Sequence, residues 1–146
     1  MRNFEGIEIG DRRLVSRVIT EQDVETFAGI TGDCSPLHLD EEFAKKTVFK
    51  GRIAHGMLIA GLISAAMGKF PGVVVYLWQN LSFLKPVRAG DRIEASAEVL
   101  EKVSERSELR LKTTCRNQRG EMVVDGEAKV KIMELESSGE GKTAGL

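Results

Sequence analysis

The stretch "IAHGMLIAGLISAAMGK", residues 53–69, decides how this chain folds. From His55 onward, Met57, Leu58, Ile59, Leu62, Ile63, Ala65, Ala66 and Met67 leave a helix with almost no polar face. A helix that is apolar all round belongs inside a fold rather than on its surface. Gly61, Ser64, Ala65 and Gly68 are small and let another backbone come close, and "FPG" at 70–72 stops the helix. The run carries a histidine and falls short of the roughly 20 apolar residues that span a bilayer.

The rest of the chain reads as what surrounds that helix. Upstream, "RRLVSRVIT" (12–20) reads as a strand. "TEQDVETFAGI" (20–30) then starts a helix with Thr20 as cap and Asp23 three residues on, and Gly29 and Gly32 end it. "LDEEFAKKT" (39–47) suits a short helix, with acids early and lysines late. Downstream, "GVVVYLWQNLSFLKPV" (72–87) is β-branched and aromatic. "RIEASAEVLEKV" (92–103), "SELRLKTTCRN" (107–117) and "EMVVDGEAKVKIMEL" (121–135) alternate apolar and polar residues, with turns at "AGD" and "QRG". Period-two alternation predicts an antiparallel sheet with one covered face. The expectation is an α+β fold, a long curved sheet wrapped around one buried helix. "GVVVYLWQNL" has more apolar residues than one face needs, so it is expected at a sheet edge that pairs with a second copy, giving at least a homodimer.

The chain of 146 residues shows no repeat or internal linker, so a single domain over 1–136 is expected, followed by a Gly/Ser-rich tail over 137–146. A net charge of −1 disfavours nucleic-acid binding, which needs a concentrated basic face. Lys45, Lys46, Lys50, Arg52, Lys85 and Arg88 are candidates for a local phosphate contact, though each reads more simply as a solvated charge. The polar start "MRNFEGIEIG" has no apolar leader core, and two cysteines fit a reducing compartment, so the cytoplasm is expected.

The chemistry concentrates in "GDCSPLH" (32–38) and "AHGM" (54–57). Pro36 forces the chain to turn, which can bring Asp33 and His38 towards one point as an acid–base pair around a water. On spacing alone the plainer alternative leads: Asp33 makes an Asx turn and His38 packs under the next helix. Cys34 reads as a small filler before it reads as a nucleophile. At the start of the apolar helix, Gly56 offers an N–H without an internal partner and no Cβ, which suits an oxyanion and equally suits a tight helix entry. A metal site from Asp33, His38 and His55 lacks HxxxH or CxxC spacing, and neither metal nor cofactor is expected.

"FAGITGDCSPLHLDEEFAKKTVFKGRIAHGML" (27–58) closely resembles the hydratase motif of the MaoC-like (R)-specific enoyl-CoA hydratases, which have the hot-dog fold. Phe27, Gly32, Asp33, Pro36, Leu37, His38, His55, Gly56 and Met57 match that pattern, and the resemblance continues through "LSFLKPVRAGDRIEA" (81–95). It implies reversible hydration of a trans-2-enoyl-CoA to the (R)-3-hydroxyacyl-CoA, in fatty-acid or hydroxyalkanoate metabolism, with acyl-CoA or an acyl carrier protein thioester as substrate. It implies Asp33 and His38 as catalytic residues, the Gly56 N–H as oxyanion hole, and a site at a dimer interface. Ser35, His55, Ser64 and Met67 would bind substrate or support the pair. Ser35 stands where the family usually has Asn. Thioester hydrolysis on the same fold, or non-catalytic acyl-CoA binding, are the alternatives.

Overall fold

The computed structural model describes residues 3–135, and the tail expected over 137–146 lies outside the described residues. Six strands form one antiparallel sheet. They are β1 (Arg12–Val18), β2 (Val73–Gln79), β3 (Ser82–Phe83), β4 (Arg92–Val103), β5 (Glu108–Arg116) and β6 (Met122–Met133). Their order is β1-β4-β5-β6-β2, with β3 also on β6, so the apolar segment 72–81 does lie at a sheet edge.

The alternation seen in the sequence sets the sheet's two faces. Along β5, Leu109, Leu111, Thr113 and Cys115 are fully buried. Between them Arg110 bridges Glu101 and Glu127, and Lys112 pairs with Asp125, so the outer face carries cross-strand ion pairs. Burial pushes the Cys115 thiol up to about 12, which leaves it a packing group rather than a nucleophile. Where the chain leaves β2, Asn80 is bonded to Glu127 at both its N–H and its side chain. A Cβ at Gly126 would lie 2.0 Å from Asn80 O, so only glycine fits that crossing.

The helices are α1 (Asn3–Gly6), α2 (Glu21–Thr31), α3 (Pro36–Leu39), α4 (Glu41–Ala44) and α5 (Gly56–Met67). Thr20 and Asp23 form the expected capping box on α2. That helix runs through Gly29 and ends at Gly32, whose φ of 79° places it in the left-handed region. Glycine inside a helix weakens it without stopping it, whereas the positive φ does stop it.

α5 packs across β4, β1, β5 and β6 with Ile59, Ile63, Ala66 and Met67 in the core. Its burial is one-sided. Met57 is 58% exposed, and Gly61, Ser64 and Ala65 are also exposed. The expectation of a helix covered all round therefore fails within one chain: a single sheet supplies only one covering layer. Among the described residues no helix is long and apolar enough to cross a membrane.

Candidate active site

Segment 32–55 crosses the start of α5 and contains only two single-turn helices. Its path begins at Gly32, where the cap sends the chain back after α2. Asp33 Oδ1 accepts from Ser35 N at 3.4 Å, the Asx turn that spacing predicted. Pro36 does not simply break the chain there. It occupies the first position of α3, where a missing N–H costs nothing, and Ser35 caps that turn by accepting from Leu37 N. His38 thus sits on a helical turn whose start Ser35 caps.

The two imidazoles are fixed by the carbonyls they face. His38 Nδ1 is 2.8 Å from Ile53 O, and His55 Nε2 is 2.9 Å from Asp33 O. A carbonyl only accepts, so each of those nitrogens carries the hydrogen. His38 Nε2 therefore keeps its lone pair for another proton. The rings stack with centroids 3.9 Å apart, and Phe27 flanks His55 at 4.8 Å. His55 is 2% exposed, and its Nδ1 has no hydrogen-bond partner among the described residues. His55 thereby touches both residues, bonding the Asp33 carbonyl and stacking on the His38 ring.

Asp33, His38 and His55 each bring one ligand-capable atom within 4.8 Å of the others. Two hydrogen bonds of about 2.8 Å meeting at one water span roughly 4.6 Å, so this spacing suits a water shared between carboxylate and imidazole. It suits a metal less well. An ion bridging two rings stacked 3.9 Å apart would lie well out of both ring planes, away from their lone pairs.

His38 and Gly56 line a cavity of about 400 Å³ with mainly apolar walls, among them Phe49, Phe83, Val87 and Val123. Gly56 opens α5, so its N–H is among the four that no helical carbonyl can accept from. A Cβ on Gly56 would meet the Phe83 ring at 2.7 Å, so glycine lets that ring close over the helix start. Asp33 lies beside His38 but does not line the cavity. Cys34 is exposed rather than a packed filler, and its thiol points at Ala28 O, 3.8 Å away.

Two residues expected near the site are not brought to it. Ser64 lines a separate depression on the open face of α5, with Tyr76, Trp78 and Gln79 of β2. Met67 is fully buried in the core. Both sit further along the helix than the cavity reaches. Conversely, Phe49 and Val123 line the cavity without any signal in the sequence. Lys85 is paired with Glu121 at 2.7 Å, while Lys50, Arg52 and Arg88 border a polar depression that shares His38 with the apolar cavity.

This arrangement has close counterparts among known proteins. The chain is 47% identical over 137 residues to a 3-hydroxybutyryl-CoA dehydratase of Methylorubrum extorquens, covering 92% of this chain and 87% of that one. It is 43% identical to an (R)-specific enoyl-CoA hydratase of Rhodospirillum rubrum, covering 88% and 90%. The unliganded R-hydratase PhaJ1 from Pseudomonas aeruginosa superposes with a TM-score of 0.83 at 39% identity, covering 97% of this chain and 94% of that one. Residues 7–122 match the family model described as the MaoC like domain. With its curled antiparallel sheet, its helix and its loop motif all in place, the chain belongs to the MaoC-like family of hot-dog-fold proteins.

Proposed function

We propose that the protein is a lyase that reversibly hydrates a trans-2-enoyl-CoA to the (R)-3-hydroxyacyl-CoA. The observation that carries this reading is the His38 tautomer. With Nδ1–H committed to Ile53 O, Nε2 of the neutral ring accepts, and an Asp33 carboxylate oxygen and a His38 ring nitrogen lie within 4.8 Å of each other, a separation that one water bridges. In the thioester, conjugation makes C3 electrophilic. Water oxygen bonds to C3 while the pair takes its proton, and the C2=C3 electrons move towards the carbonyl oxygen. The Gly56 N–H stabilises the enolate-like charge, a contribution of the order of 3 kcal/mol for one such donor. A proton returned from the pair to C2 completes addition. The apolar cavity beside His38 and Gly56 accepts the acyl chain.

The active form we propose is a homodimer. β2 is an edge strand with Tyr76 and Trp78 partly exposed, and it borders the open face of α5, so a second copy covers both. Two unpaired cysteines fit the cytoplasm as its compartment.

Crotonyl-CoA tests the reaction. Loss of enoyl absorbance without release of free thiol is expected. Thiol release assigns hydrolysis instead, and neither signal across several chain lengths leaves only a binding role.

A further inference from the structure

α3 is a single helical turn, and a single turn does not hold itself, because its first hydrogen bond costs more order than it returns. Its last carbonyls also lack helical donors. One of these is His38 O, and Arg52 Nε donates to it at 2.7 Å. The neighbouring residue grips the same turn twice more: Ile53 N reaches Leu37 O at 3.4 Å, and Ile53 O receives His38 Nδ1–H. Residues 52 and 53 therefore hold His38 by its backbone on one side and by its ring on the other.

The strap that carries Arg52 is anchored in turn. Arg88, in the loop before β4, donates Nη1 to Arg52 O at 3.2 Å and Nη2 to Phe49 O. Gly51 fits beneath it, since a Cβ there would lie 3.2 Å from Arg88 Nη1. The Arg52 side chain is only 21% exposed and has Glu21 as its other neighbour, at 3.9 Å. Its guanidinium sits at the wall of the polar depression between a protein carbonyl and a carboxylate, and a charged donor on a carbonyl makes a strong, directional bond.

We infer that Arg52 is a positioning residue for His38: its guanidinium fixes the α3 turn so that the imidazole Nε2 faces the water-binding position. The inference rests on His38 serving the hydratase reaction proposed above. The competing role for a partly buried arginine beside Lys50 and Arg88 is a contact to the coenzyme phosphates, and the two roles separate on substrates with and without those phosphates.

Arg52→Ala and Arg52→Lys are assayed with crotonyl-CoA and with crotonyl-pantetheine, which has no phosphate. For Arg52→Ala, kcat falls about 10- to 100-fold on both thioesters while KM stays within about twofold, as for a small misplacement of a reacting group. Arg52→Lys, which keeps one donor for His38 O, recovers most of kcat. The chain has two histidines, so imidazole 15N signals are assignable, and those of His38 move away from the Nδ1–H pattern in Arg52→Ala. A KM rise confined to the CoA thioester, an unchanged kcat, or unmoved imidazole signals overturns the inference. If Arg52→Ala does not fold, Arg52→Lys decides: wild-type His38 signals and kcat support the inference, and a selective KM rise refutes it. If the wild type hydrates neither thioester, the functional reading fails, while the imidazole signals still judge Arg52.

Discussion

β5 and segment 32–55 are held by opposite means. Every second residue of β5 is fully buried, and the strand is bonded along its length to β4 and β6. Segment 32–55 has two helical turns of four residues each, and its order comes from individual bonds such as Arg52 to His38 O and His55 to Asp33 O. The packing is therefore concentrated in the sheet, and the chemistry proposed for Asp33 and His38 in the segment. A reactive imidazole needs an open side, which a packed strand cannot offer, and a loop with an open side must borrow its rigidity.

Substitutions that move activity without stability, or the reverse, test that division. The largest expected effects are on activity: Asp33→Asn and His38→Ala each lower hydratase turnover at least ~100-fold, with Tm within a few degrees of wild type. Near-normal turnover in either variant removes the pair from the mechanism. Leu111→Ala should show the opposite pattern, losing about 2–5 kcal/mol in urea unfolding while kcat per folded molecule holds. A fall in kcat there would mean that the sheet and the segment are not separable.

Ser35 sharpens the boundary, because it is a cap inside the active segment. Ser35→Ala should cost about 1 kcal/mol, whereas Ser35→Asn, also a good cap, should change unfolding little. A large gain in turnover for Ser35→Asn would show that the amide contacts the water, beyond capping α3.

The smallest effect lies at the entry to α2. The Arg17 guanidinium bonded to Asp23 holds that carboxyl down at about 2, and the Thr20 N–H adds to it. A depressed carboxylate stabilises the fold above its unfolded value and loses that contribution as pH falls through the folded one. The Tm difference between wild type and Asp23→Asn should be present at pH 6 and fade between roughly pH 4 and 2. The pair is surface-exposed on the arginine side, so the difference is modest.

By itself the sequence determined the parts whose burial pattern repeats locally. Alternation in 92–103, 107–117 and 121–135 specified β4, β5 and β6, and the apolar run after His55 specified α5. The loop motif located Asp33, His38 and Gly56 together through resemblance, although their spacing alone had not. Tertiary structure alone decided where the covered face of α5 ends. Ser64 and Met67 are three residues apart on one helix, yet one is exposed and the other is fully buried. It also decided that the two imidazoles stack and that Arg52 caps the turn bearing His38. The physical reason is range. Periodicity records which side of an element faces the core, whereas a hydrogen bond of about 3 Å between distant segments depends on the whole path of the chain between them.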